Sequence, residues 1–380
     1  MIDRRTFVAA GLALGAAPHM AFARAATDRR LVFILQRGAA DGLGTVAPIG
    51  DPDFVRQRGV LAEPFADAGR LDSTFALHPA MAEMAARYAA KEALFVHAVA
   101  SPYRERSHFD GQNALETGSA QPYAIKDGWL NRLLALLPPD EARAIAVAAT
   151  VPMALRGRAD VASYAPSALP DADDDLIARV TRLYAGDEQL HALWAQATAT
   201  RALTADLTAD QGRNAAATGA LAARLIAPAS GARIAMIETG GWDTHAGQTG
   251  RLAAQLKGLD AMIATLRTGL GRVWQNTLVI VATEFGRTVR VNGTGGTDHG
   301  TASAAMLAGG TVAGGRVVAD WPGLSDAALH DGRDLKPTGD VNAVVASAIA
   351  AHFALDAERV LPALFPASSK AVLPQGLIRG

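Results

Sequence analysis

The chain of 380 residues contains no cysteine. That excludes disulfides, thiolate metal sites, iron–sulfur clusters and a cysteine nucleophile. A resident metal must therefore rest on His, Asp, Glu or backbone oxygen, donors that suit Zn, Mn, Mg or Ca better than Cu(I). An excess of either charge is also missing. Thirty-six basic residues meet 37 acidic ones, for a net charge of −1, so no nucleic-acid partner is expected. Half of the residues are hydrophobic, which argues against disorder. Yet no stretch reaches the roughly 18 uninterrupted apolar residues that would suggest a bilayer span, so no transmembrane anchor is expected.

What is present begins with an address. The first 25 residues, MIDRRTFVAAGLALGAAPHMAFARA, pair Arg4 with Arg5, then place Phe7, a short apolar run and the A-x-A site Ala23-Arg24-Ala25. This pattern is a twin-arginine signal read by the Tat export machinery, with cleavage expected after Ala25. The mature protein is then soluble and periplasmic or secreted. Residues 26–380 read as a single large domain.

Short apolar runs recur with helical stretches between them. The runs are LVFILQ (31–36), LFVHAV (94–99), AIAVAA (144–149), RIAMIE (233–238), TLVIVAT (277–283) and AAMLAG (304–309). Helical patterns lie at 79–92, 129–137, across 172–227 and at 250–270. Continuous apolar runs suit buried parallel strands. The alternation predicts a doubly wound α/β fold, a mostly parallel sheet with helices on both faces. The Pro- and Gly-rich stretches 42–64 and 286–323 read as long loops, which in such domains tend to carry function.

Ligands of open α/β sheets bind beyond the carboxyl ends of the strands. The polar residues just after the runs are therefore the informative ones. They are Asp41 in RGAADG, Asp243 and His245 in TGGWDTH, Glu284 and Arg287 in EFGRT, and Asp298 and His299 in TDHG. Each has a plainer explanation alone: a turn former, a weak Asp-x-His pair, an i,i+3 ion pair, a solvated turn. Together they gather so many carboxylates at one edge that a divalent cation is the simplest balance for their repulsion. One or two ions of Zn, Mn, Mg or Ca are expected.

Residues 106–118, RSHFDGQNALETG, raise a further candidate. Ser107 followed by Asp110 has the form of a capping box, so a helix is expected to start at His108 and stop at Gly118. That sets His108 on a first helical turn, where free N–H groups favour anions. His97 and His352 sit in apolar runs and read as satisfied core groups. His78, His191 and His330 lack partners in sequence, and His19 leaves with the signal.

The segments RGAADGLGTVAP, RSHFDGQNALETG, GGWDTHAGQ, ATEFGRTVRVN, GTDHGTASAAMLAGG and GRDLKPTGDVNAVV, in this order behind a twin-arginine signal, resemble the DUF1501 family of exported bacterial proteins. The resemblance covers the mature chain. It implies a fold similar to the alkaline phosphatase and sulfatase superfamily, whose members hydrolyse or transfer phosphate and sulfate esters at a usually two-metal site. By that resemblance Asp41 matches the first metal-binding Asp, and Asp243 with His245 matches a later Asp/His pair. Glu284 falls where the superfamily has Asp-His, with Phe285 replacing the His. Asp298-His299 supplies the missing ligand, or His299 matches the final His ligand. The nucleophile position is occupied by His108, with Ser107 one residue early.

The expected function is an exported metal-dependent hydrolase of phosphate or sulfate esters, acting on a small-molecule or glycan ester. Its metal ligands would be Asp41, Asp243, His245, Glu284, Asp298 and His299, with Arg287 or Arg106 on the anion. His108 is a ligand or water-positioning group, a phosphohistidine nucleophile, or filler, and Ser107 is the alternative nucleophile. The rival class is a non-catalytic, metal-stabilised binding protein of the cell envelope. A redox enzyme is disfavoured, because no G-x-G-x-x-G follows the first run.

Overall fold

The computed structural model describes residues 28–139, 142–165, 174–187, 190–192, 194–195, 197–198 and 214–380. The export segment 1–25 and residues 199–213 of the expected helical region 172–227 lie outside them.

In chain order the strands are β1 (Arg30–Gln36), β2 (Val46–Ala47), β3 (Ala76–Leu77), β4 (Ala93–Ala100), β5 (Ala144–Val147), β6 (Ala162–Ser163), β7 (Ile234–Thr239), β8 (Thr277–Thr283), β9 (Ser303–Ala308), β10 (Arg316–Val318) and β11 (Gly339–Asp340). The helices are α1 (Gly42–Thr45), α2 (Phe54–Arg58), α3 (Ala82–Ala89), α4 (His108–Thr117), α5 (Trp129–Leu134), α6 (Asp174–Tyr184), α7 (Ala215–Ile226), α8 (Gln248–Leu270), α9 (Val341–Phe353) and α10 (Ala357–Leu364). The stretch 42–64, expected as loop, thus folds into short helices around β2.

The main sheet runs β10-β4-β9-β8-β1-β7-β5-β6, with β11 also on β4. Its pairs are parallel except those of β9, which is antiparallel to both β4 and β8. The run 304–309, grouped above with the parallel strands, is corrected on this point. A parallel return normally requires a helical crossover. No helix lies between β8 and β9, so the chain turns back directly. The residues preceding β9 consequently stay at the edge where the parallel strands end.

The core is built from both faces of the sheet. Leu31, Phe33 and Leu35 of β1 join Trp129 of α5 and Ile349 and Phe353 of α9. Phe33 meets Trp129 edge-on at 5.0 Å. Val32 and Ile34 point the other way, onto Leu225 of α7 and Leu256 and Ile263 of α8. This is strand periodicity with both faces apolar, and each such buried side chain contributes about 1.5–3 kcal/mol relative to exposure.

Local signals fix several boundaries. Asn214 caps α7 by accepting from the Ala217 N–H at 2.8 Å. Asp340 caps α9 through the N–H groups of Asn342 and Ala343. Helix α4 starts at His108 and ends at a left-handed Gly118 (φ 67°), as expected. The capping box does not form, because the Ser107 side chain makes no cap hydrogen bond. His97 lies in the core with Nε2 2.9 Å from the Val46 carbonyl. His352 is held by Thr311 and the Arg30 carbonyl.

Candidate metal centre

Four segments meet at the carboxyl edge of the sheet. The chain leaving β4 turns through 101–107 into α4 and presents His108 on its first turn. The chain leaving β7 carries Asp243 and His245. Trp242 anchors that loop by burying its indole and donating Nε1–H to Thr239 Oγ1 at 2.9 Å. Gly38, after β1, permits the close approach: a Cβ there would lie 2.7 Å from the Asp243 nitrogen. His299 arrives from the segment before β9, at this edge because β9 is antiparallel.

Their side chains converge. His108 Nε2 lies 2.9 Å from His299 Nε2. His245 Nε2 lies 3.0 Å from the same atom. Asp243 Oδ1 is 2.9 Å from His245 Nε2 and 3.3 Å from His299 Nε2. Its Oδ2 is 3.4 Å from His108 Nε2. One ligand atom each from His108, Asp243 and His299 falls within 4.8 Å of the others.

The opposite ring nitrogens explain the orientation. His108 donates Nδ1–H to Glu284 Oε1 at 2.8 Å. His245 donates Nδ1–H to Asp298 Oδ1 at 3.1 Å. His299 donates Nδ1–H to the Arg106 carbonyl at 3.0 Å. With each Nδ1–H committed to an oxygen, a neutral ring turns its Nε2 lone pair toward the cluster. Lone pairs about 3 Å apart beside a carboxylate repel unless a cation lies among them. The residues therefore fit a metal ion, in the arrangement where outer carboxylates or carbonyls fix ligating imidazoles.

Without a cation the carboxylates around the cluster act on the rings and on one another. The Glu284 hydrogen bond, outweighing partial burial, holds the His108 pKa above its ordinary value. His299 is lowered, first by burial and then by the charge of His108. Burial would raise Asp243, but the Arg287 hydrogen bond and charge outweigh it and keep the carboxyl below its usual range.

The expected site residues divide into groups. His108, Asp243, His245 and His299 come together. Glu284 does not face the cluster directly. It is fully buried behind His108, accepting from the Gly38 and Ala39 N–H groups at 2.8 and 3.2 Å and from Gln112 Nε2 at 3.1 Å. Burial raises its pKa, yet the hydrogen bond from His108, joined by those from Gly38 and Gln112, brings it below the ordinary value. Asp298 holds His245 and is itself held by Asn292. Asp41 departs from the ligand expectation: it is buried, and its Oδ2 accepts from Arg58 and Gln248.

The two arginines depart from the anion-binding expectation as well. Arg287 is buried and spends its guanidinium on Asp243, Thr297 Oγ1 and the Thr297 carbonyl. Arg106 turns to the buried Asp334 at 2.7 Å and contributes its backbone carbonyl instead. The Ser107 hydroxyl is not among the cluster atoms. Gln112 is a supporting residue that the sequence reading overlooked, although it lies one helical turn after His108 and that spacing could have found it. Arg58 had no such signal.

No curated protein matches the chain. Among solved structures it is similar to the alkaline phosphatase from the Antarctic bacterium TAB5, at 11% identity over 76% of this chain and 94% of that one, with a TM-score of 0.36. A variant of that enzyme with Mg bound matches at 12% identity, 78% and 94% coverage and a TM-score of 0.36. The phosphonate monoester hydrolase of Agrobacterium radiobacter matches at 10% identity, 77% and 70% coverage and a TM-score of 0.32. None of the helices among the described residues is long and apolar enough to cross a membrane. The family model described as a protein of unknown function, DUF1501, matches residues 28–365, and the chain belongs to that family.

Proposed function

We propose that this chain is an exported metal-dependent hydrolase of phosphate or sulfate esters, carried by one domain over residues 26–380 behind a twin-arginine signal cleaved near Ala25. The supporting observation is the convergence of three imidazole Nε2 atoms on the Asp243 carboxylate, each ring held from behind by an oxygen. His108, Asp243, His245 and His299 would hold the metal. Three imidazoles and one carboxylate favour Zn or Mn over Mg or Ca. A divalent ion bound there supplies Lewis acidity toward an ester oxygen and lowers the pKa of water.

The remaining work falls to the chain itself. Arg287 keeps Asp243 ionised and aimed. Glu284 and the Arg106 carbonyl fix the tautomers of His108 and His299. The first turn of α4 leaves N–H groups that suit an anionic ester. One observation favours the rival reading, a metal-stabilised binding protein: a histidine, and not a hydroxyl residue, opens helix α4.

Metal analysis of the full chain purified without chelator should find Zn or Mn near stoichiometry, falling below about half an equivalent in Asp243→Ala and His299→Ala. Phosphate mono- and diesters and sulfate esters should be hydrolysed by the metal-loaded protein and not by either variant. A metal-loaded protein inert on all three ester classes would leave the binding-protein reading in place. Metal content indifferent to both substitutions would sink the centre.

A further inference from the structure

A second feature opens beside β4. A cavity of about 400 Å³ is lined by Asp320, Leu329, His330, Asp331, Lys336 and Thr338, among others. Asp320 follows the carboxyl end of β10, and Thr338 precedes β11. Both strands pair in parallel with β4, the strand that leads into α4. The cavity thus lies in the gap between the carboxyl end of β10 and the amino end of β11, along the outer side of β4.

The cavity shares a wall with the metal centre. Asp331 lies 3.4 Å from Arg106, whose carbonyl holds His299. Arg333, two residues on, donates to the His299 carbonyl at 2.7 Å.

The lining selects by charge. The Asp320 carboxylate and the Lys336 ammonium, both on exposed residues, border the cavity and make no hydrogen bond or ion pair among the described residues. Asp331 already faces Arg106 and His330, which leaves Asp320 to disfavour a net anion and Lys336 a net cation. A neutral polyhydroxylated group satisfies both, donating a hydroxyl proton to the carboxylate and accepting from the ammonium. Pro322, Ala328 and Leu329 offer apolar surface to its C–H face. The volume lies within the range of small-ligand sites.

From this we infer that the cavity between β10 and β11 binds a neutral sugar or cyclic polyol, the alcohol portion of the ester whose anionic end meets the metal centre. The substrate class rests on the hydrolase reading; the binding site does not. The test is saturation-transfer NMR of the full chain with myo-inositol and methyl glucoside, using choline and inorganic phosphate as charged probes. The two polyols should receive saturation from wild type, with affinity about tenfold weaker in Asp320→Asn and in Lys336→Met. The signal should persist in Asp243→Ala, which removes a metal ligand and not the cavity. No transfer to either polyol, transfer indifferent to both cavity substitutions, or binding at this cavity of choline in their place would overturn the proposal. Polyol binding without hydrolysis of any ester would leave the cavity assigned and count against the hydrolase alone.

Discussion

Asp41 and Asp243 follow neighbouring parallel strands, β1 and β7, and each meets an arginine, yet they end in opposite circumstances. Asp41 is 1% exposed and its partner Arg58 is fully buried. Asp243 keeps 40% of its side chain exposed, with Arg287 behind it and imidazoles in front. In the first case the ion pair, completed by Gln248, is closed and has no room for a ligand. In the second the arginine leaves Oδ2 facing His108. A carboxylate at a strand end becomes a chemical group only where its neutralising partner leaves one side open.

The largest effect should come from breaking the closed pair. Arg58→Met strands Asp41 as an uncompensated buried carboxylate, and about 3–5 kcal/mol of stability should be lost. Urea unfolding checks this, with metal content in the folded fraction unchanged. A midpoint equal to wild type would mean that Asp41 is not a structural ion-pair member.

Acid should act next, through two buried core histidines. Burial lowers His97 to about 4, against weaker upward pulls from its backbone hydrogen bonds, and lowers His352 to about 3. Both folded values lie below the ordinary 6.5. Their stabilising contribution is therefore complete above pH 6.5 and is lost as pH falls toward 4 and 3. Each should cost about 2 kcal/mol at pH 5. His97→Gln should flatten part of that slope, as measured by melting temperature against pH.

Glu284→Gln separates holding a ligand from being one. It should weaken metal affinity about 10- to 100-fold, read by competition with a chelating dye, while some binding persists. Complete loss of metal, as for Asp243→Ala, would return Glu284 to the ligand set. Asp298→Asn should have the smallest effect, under about 1 kcal/mol in binding, since Asp298 and His245 are both substantially exposed. A larger loss would put Asp298 in the ligand set.

Much of the fold was legible because it rests on local pattern. The apolar run 277–283 is β8 residue for residue, and the helix expected from RSHFDGQNALETG spans His108–Thr117. Strand-end positions brought His108, Asp243, His245 and His299 to one edge. The direction of β9 was not legible, since apolar runs look alike in parallel and antiparallel strands once both faces are buried. Nor was the burial of Asp41 against an arginine and a glutamine. Its partners Arg58 and Gln248 stand 17 and 207 residues away, and no periodicity joins them.

The sequence by itself determined the donor chemistry, an imidazole and carboxylate set with no thiol, and the edge at which it collects. Only the tertiary structure decided which of those groups face one another. Glu284 and Asp298 each accept from the Nδ1 of a histidine ring that stands between them and the cluster. Arg287 and Arg106 turn to Asp243 and Asp334 because those carboxylates lie beside them. Side-chain roles of that kind depend on packing between distant segments, which spacing along the chain does not record.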